Sequence, residues 1–208
     1  QKDLEIIAYH EAGHAVVAHH LPDGDPVHKV TIIGRGMAGG YTQFLPDEDR
    51  GYLLTRSELM DELATALGGR TAEEIKFGEI STGAKGDLEQ VTNTARKMVM
   101  EWGMSDRLGP QAFGRPMEEN VFLGRDIARD RNYSEEVAAA IDTEVRRFIE
   151  EAHETARSIL QKHWDKVDAV AEALKERETL TRREFLEIIG ESELAEKEAE
   201  EESRLSAK

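Results

Sequence analysis

The sequence predicts a mainly α fold: a helical domain with a small β-hairpin or sheet near residues 29–45 and a C-terminal helical hairpin. Three observations predict it. Apolar residues recur at helical spacing along most of the chain, two S/T-x-x-E boxes mark helix starts, and only two short stretches have strand character.

Taken in order, residues 4–21 form the first expected helix. Leu4, Ile7, Ala8, Ala15, Val17, Ala18 and Leu21 place apolar groups on most of its sides, so it is expected to be largely buried. Pro22, Gly24 and Pro26 end it. A short strand follows over Val30 to Ile33, then a glycine-rich turn, then a second strand over Tyr41 to Leu45. Thr55-Arg56-Ser57-Glu58 has the form of a capping box and opens a helix with Leu59, Leu63, Ala66 and Leu67 on one stripe. Gly68-Gly69 weakens this helix, and Thr71 to Phe77 continues or restarts it.

Asp87 begins another helix, with Leu88, Val91, Ala95, Met98, Val99 and Trp102 on one face. Residues 103–133, rich in Gly and Arg, are expected to be mostly irregular. Ser134 caps the next helix, with Glu135 and Glu136 at its positive end, and Val137, Ile141, Val145, Ile149, Ala152, Ala156 and Leu160 recur at helical spacing. A helix over Asp165 to Lys175 completes a helical hairpin. Thr181 with Glu184 offers a second capping box before Phe185 to Ile189. From Glu191 onward seven acidic residues face three basic ones, and disorder is expected. The chain thus divides into residues 1–133, a helical subdomain over 134–190 and an acidic tail over 191–208.

Composition limits the function. A net charge of −16 on 208 residues repels phosphate backbones and argues against nucleic acid as a partner. With 39% apolar and 34% charged residues the chain has the balance of a folded soluble domain. No apolar run approaches the ~18 residues of a membrane span, and no signal peptide opens the chain. The start at Gln1 rather than Met suggests a fragment or a processed chain. With no cysteine, a metal site must be built from His, Asp or Glu.

Five of the seven histidines precede residue 29, and two of them form His10-Glu11-Ala12-Gly13-His14. This is the H-E-x-x-H pattern of zinc peptidases. Residues i and i+4 share a helix face, so both imidazoles can converge on one Zn2+ ion. Glu11 projects about 100° away from His10, too far round to be an easy ligand but able to reach a water on the ion as general base. Burying His, Glu and His among apolar neighbours is costly without a ligand. Gly13 weakens a helix interior by about 1 kcal/mol, which points to a close approach by another segment. Residues 1–133 are therefore expected to be the zinc-binding catalytic part.

The third ligand has several candidates. His20 stands where a third histidine stands in a longer zinc-peptidase pattern, but that pattern needs a helix-breaking glycine where this chain has Val17. His19, His20 and His28 are read as surface or supporting residues. Glu73 and Glu74 lie on an expected helix, and Asp87 opens one after Ser81-Thr82-Gly83-Ala84. Spacing alone leaves these three open. Gly34-Arg35-Gly36-Met37-Ala38-Gly39 fits a dinucleotide fingerprint, but a strand rather than a helix follows it, so it is read as a strand connection. Either Val30 to Ile33 or the segment around Gly40 to Thr42 could hold an extended substrate as an edge strand.

Several further segments occur in a fixed order with the zinc motif: Asp25-Pro26-Val27-His28-Lys29-Val30-Thr31-Ile32, Gly68-Gly69-Arg70 with Ala72-Glu73-Glu74, Ser81-Thr82-Gly83-Ala84 with Asp87-Leu88, Trp102-Gly103-Met104-Ser105, and Phe122-Leu123-Gly124-Arg125. Over about residues 5–190 the chain closely resembles the peptidase domain of the FtsH family, membrane-anchored AAA+ zinc proteases. The resemblance implies Asp87 as the third metal ligand beside His10 and His14, Zn2+ as cofactor and Glu11 as catalytic base. It also implies unfolded protein substrates, an AAA+ ATPase module as partner and a homo-hexamer. It implies a membrane anchor elsewhere in the full-length protein, with this domain in the cytoplasm or the equivalent organelle compartment and itself soluble. No G-x-x-x-x-G-K-[ST] loop is found here, so the chain is expected to be the peptidase part alone. The competing reading is a non-catalytic zinc-stabilised oligomerisation module, which an intact Glu11 disfavours.

Overall fold

In the computed structural model, which describes residues 2–34, 39–45, 53–114 and 132–206, helix α1 (Lys2–His20) is the innermost element. Every residue from Ala8 to Ala18 is buried. The apolar groups on most of its sides meet α2 (Arg56–Phe77) on one flank, α5 (Trp164–Arg177) on another, and the sheet beyond.

The crossing of α1 and α2 rests on glycine. A Cβ on Gly13 would stand 2.4 Å from the carbonyl oxygen of Gly68, and one on Gly68 would stand 2.7 Å from that of Gly13. The two backbones touch, which accounts for the close approach expected at Gly13. It also shows why α2 runs unbroken through Gly68-Gly69. Those glycines weaken it by about 1 kcal/mol each, but buried Leu59, Leu63, Leu67 and Ala72 anchor it on both sides.

Both expected capping boxes close. Thr55 accepts from the Glu58 amide while Glu58 bonds back to the Thr55 amide, and Thr181 and Glu184 do the same at α6 (Arg182–Ile188). Ser134 caps α4 (Glu135–Lys162) by accepting from the Val137 amide. A single 3-10 turn, Thr82–Ala84, leads into α3 (Lys85–Met100), which puts Asp87 in the first helical turn. The expected C-terminal helical hairpin does not form as a packed pair: α4 and α5 meet only sparsely, because α4 lies on α2 and α3 while α5 lies on α1.

The small sheet takes a third strand from far outside residues 29–45. Its order is β2 (Tyr41–Phe44), β1 (Val27–Thr31), β3 (Thr179–Thr181), all antiparallel. β1 begins three residues earlier than its sequence pattern suggests, because a bulge between Val27 and Lys29 lets Val27 and Val30 both point inward. β3 has one buried residue, Leu180, flanked by two threonines, too short a pattern to read as a strand.

The tail also differs from expectation. Ser192–Ser206 forms α7 instead of a disordered segment. Two interactions account for it: Ala195 is buried, and the Arg182 guanidinium donates to both carboxylate oxygens of Glu198 at 2.6 Å each and to the Val27 carbonyl at 2.9 Å. Charge that composition assigns to solvent is here paired. The core of the glycine-rich turn (35–38), the Phe122-Leu123-Gly124-Arg125 segment and most of the expected irregular region (115–131) lie outside the described residues. Among the described residues no helix is long and apolar enough to cross a membrane.

Candidate metal centre

α1 presents His10 and His14 one turn apart, and the first turn of α3 brings Asp87 against them. The facing Nε2 atoms of the two histidines are 3.0 Å apart. Asp87 Oδ2 lies 3.2 Å from His10 Nε2 and 3.5 Å from His14 Nε2. Among the described residues these three side chains alone form a cluster able to hold a metal ion. With Zn–N distances of about 2.0–2.1 Å, tetrahedral donors stand roughly 3.3 Å apart, close to these spacings.

The outer nitrogens decide what the inner ones can do. His14 Nδ1 lies 2.8 Å from the Thr65 carbonyl oxygen, which can only accept, so Nδ1 carries the proton. His10 Nδ1 lies 2.6 Å from Glu73 Oε1, and the Ser81 amide donates to the other Glu73 oxygen at 2.7 Å. Neutral imidazoles held in this way direct two Nε2 lone pairs and a carboxylate at one point. That arrangement is repulsive unless a cation occupies it, and a zinc ion satisfies it.

Without a metal a proton takes that place. Burial disfavours charge on His10, but its contacts with Asp87 and Glu73 outweigh burial and raise its pKa to about 9. Burial likewise opposes charge on Asp87, and the two histidines overcome it, holding the carboxyl well below the usual range. Glu73, 1% exposed, is lowered against its burial by His10 and Ser81.

Gly69 makes room for the pair. A Cβ there would lie 2.6 Å from both Nε2 atoms. Glu11 is 5% exposed and turned toward β2, where the Thr42 hydroxyl donates to its Oε2 at 2.7 Å. A groove of ≈ 1010 Å3 runs past these residues, walled by Ile7, Gly40, Tyr41, Thr42 and Phe44 on one side and by α2 and α3 on the other.

The remaining sequence candidates lie elsewhere or play another part. His20 Nδ1 donates to the Val16 carbonyl and its ring stacks on His163 at 3.8 Å, away from the cluster. His19 meets Glu191 at 2.9 Å, and His28 is exposed. Glu74 faces Arg157 at 3.1 Å. Glu73 reaches the site but stands behind an imidazole rather than beside Asp87. A metal-bound histidine needs a carboxylate or carbonyl on its other nitrogen, the one sequence signal that could have given Glu73 this part. Nothing in spacing points to Thr42 or to the Thr65 carbonyl.

Comparison with known proteins adds the lineage. Residues 1–188 match the family described as Peptidase family M41. The chain is 58% identical over 188 residues to the ATP-dependent zinc metalloprotease FtsH 1 of Thermoanaerobacter sp. (strain X514), covering 90% of this chain and 30% of that protein. It is 57% identical over 190 residues to the ATP-dependent zinc metalloprotease FtsH of Kosmotoga olearia, covering 91% and 29%. Against FtsH 3 of Symbiobacterium thermophilum the identity is 54% over 189 residues, covering 91% and 30%. The chain thus spans less than a third of the length of these curated relatives.

Proposed function

The chain belongs to peptidase family M41, and from that premise we propose that it is the zinc metalloendopeptidase part of an ATP-dependent FtsH-type protease, hydrolysing peptide bonds of unfolded or translocated proteins. One observation carries the reading: two Nε2 atoms 3.0 Å apart, each imidazole fixed through its Nδ1, with Asp87 closing the triangle.

His10, His14 and Asp87 would hold the ion. Zinc so held supplies a Lewis acid for the scissile carbonyl and acidifies water for attack. Glu11, next to the first ligand and facing the groove, takes the proton from the attacking water and passes it to the leaving amine. Glu73 and the Thr65 carbonyl keep both imidazoles in the Nδ1–H form, so neither ligand swings away between turnovers. β2 is an edge strand on the groove wall, and its backbone groups suit an extended substrate.

In this proposal residues 1–133 carry the chemistry, and 134–190 buttress α1 and α2 from behind. Delivery by an AAA+ module, a hexameric ring and a membrane anchor in the full-length protein belong to the same proposal and rest on the likeness to FtsH.

Metal analysis and a casein cleavage assay on the purified chain test it together. One zinc per chain and slow casein cleavage are expected. Asp87→Ala should lose both, while His20→Ala retains both and Glu73→Ala loses zinc affinity by about 10–100-fold. A protein that binds no zinc refutes the reading, and one that binds zinc but leaves casein intact favours a zinc-stabilised assembly module.

A further inference from the structure

We propose that Thr42 is a positioning residue for the general base, tying the Glu11 carboxylate to the edge strand of the sheet; this deepens the peptidase reading and rests on it. Thr42 Oγ1 lies 2.7 Å from Glu11 Oε2 and 3.2 Å from the Glu11 carbonyl oxygen. A hydroxyl has one proton, and the shorter contact to an ionised oxygen takes it. The hydroxyl keeps that proton throughout. With Oε2 committed, Oε1 is the oxygen that receives the proton from water.

A second observation places the same strand against the same side chain. A Cβ on Gly40 would stand 3.1 Å from Glu11 Cγ, 2.9 Å from Ile7 Cγ2 and 2.7 Å from the Thr31 carbonyl oxygen. The chain entering β2 therefore rests on the stem of Glu11 while Thr42 holds its tip. Thr42 is itself paired with Val30 of β1, so the sheet fixes its height above α1. A glutamate has three rotatable bonds, and a base free to turn through them spends little time at the reacting distance. Contacts at stem and tip remove that freedom. They also link the base to the strand along which an extended substrate would lie, so base and substrate share one frame.

Thr42→Val keeps the shape and the strand preference and removes only the hydroxyl. Thr42→Ser keeps the hydroxyl. On the zinc-loaded protein with an unfolded peptide substrate, Thr42→Val should lower kcat roughly 10–100-fold with KM and zinc content nearly unchanged. Thr42→Ser should recover most of the loss. A readout independent of activity is urea unfolding of the metal-free protein. Thr42→Val should shift the midpoint more in the parent than in a Glu11→Ala background, where only the 3.2 Å contact to the main-chain carbonyl is left to lose. Full activity in Thr42→Val, a loss confined to KM, a serine variant no better than valine, or the same midpoint shift in both backgrounds would each overturn the role. A parent that cleaves nothing overturns the peptidase reading and this role with it, whereas an active parent with an equally active Thr42→Val overturns the role alone.

Discussion

Helices α1 and α4 both pack against α2, yet they are held in opposite ways. α1 is buried all round, and its contact with α2 is a backbone crossing through Gly13 and Gly68. α4 buries one stripe, including Ile141, Phe148, Ala152 and Leu160, and covers the opposite side with ion pairs such as Arg147–Glu151. α1 is located by exclusion, since no atom can be added at the crossing. α4 is located by the area it covers. The candidate chemistry sits on the first kind of helix, where position is set by touching backbones and not by the fit of flexible side chains. Four tests probe that difference.

The largest effect is expected in α4. Phe148 is fully buried under the guanidinium groups of Arg56 and Arg147, 5.1 and 4.7 Å from its ring centroid. Phe148→Ala should cost about 3–5 kcal/mol in chemical unfolding. Zinc bound per folded molecule should not change. Loss of zinc from a still-folded variant would show that α4 sets site geometry as well as stability.

Next comes Glu11→Gln on α1. It should reduce peptidase activity at least ~10²-fold, the low end for a general base, with zinc content and unfolding midpoint kept. Casein cleavage at the parent rate would remove Glu11 from the chemistry.

The third comparison is between the metal-free and zinc-loaded states of α1. His10, raised to about 9 from an unfolded value near 6.5, contributes stability that is whole below pH 6.5 and lost as pH rises through 9. Asp87, lowered, contributes stability present above its unfolded value near 3.8 and lost as pH falls below it. The chelator-treated protein should therefore resist urea best between about pH 4 and 6.5 and weaken toward pH 9. Zinc, which takes the proton's place, should abolish the alkaline loss. Parallel curves with and without metal would contradict the exchange.

The smallest contrast uses one substitution at two glycines. Gly13→Ala should destabilise by about 1–3 kcal/mol despite the better helix propensity of alanine, because its Cβ meets backbone. Gly86→Ala, with no atom within 4 Å of its Cβ, should be neutral or stabilise by up to about 1 kcal/mol. A tolerated Gly13→Ala would mean that the crossing can yield.

The same contrast separates what the sequence made legible from what it hid. Helix starts were readable at Thr55, Ser134 and Thr181 because a cap is chemistry within four residues. His10, Glu11 and His14 were readable for the same reason. Gly13 signalled a close approach, but its partner, 55 positions along at Gly68, could come only from the fold. Spacing left Glu73 and Asp87 alike as acids on helices and only the likeness to FtsH favoured Asp87; the structure puts Glu73 behind an imidazole and Asp87 in front of it. Thr42 acts through a strand register that no local pattern encodes. α7 was misread because composition counts charges without seeing that Arg182 and Glu198 are paired.

β3 has a consequence in time. Thr31 and Thr179 exchange a hydroxyl contact of 2.7 Å across 148 positions of sequence, and α5, just before β3, covers the back of α1. On the ribosome β1 must wait for that partner. At about 5–20 residues per second the delay is roughly 7–30 s. Throughout it the helix bearing the zinc motif lacks one of its walls. The α5 wall and the third strand of the sheet are therefore completed only after His10, His14 and Asp87 have all emerged.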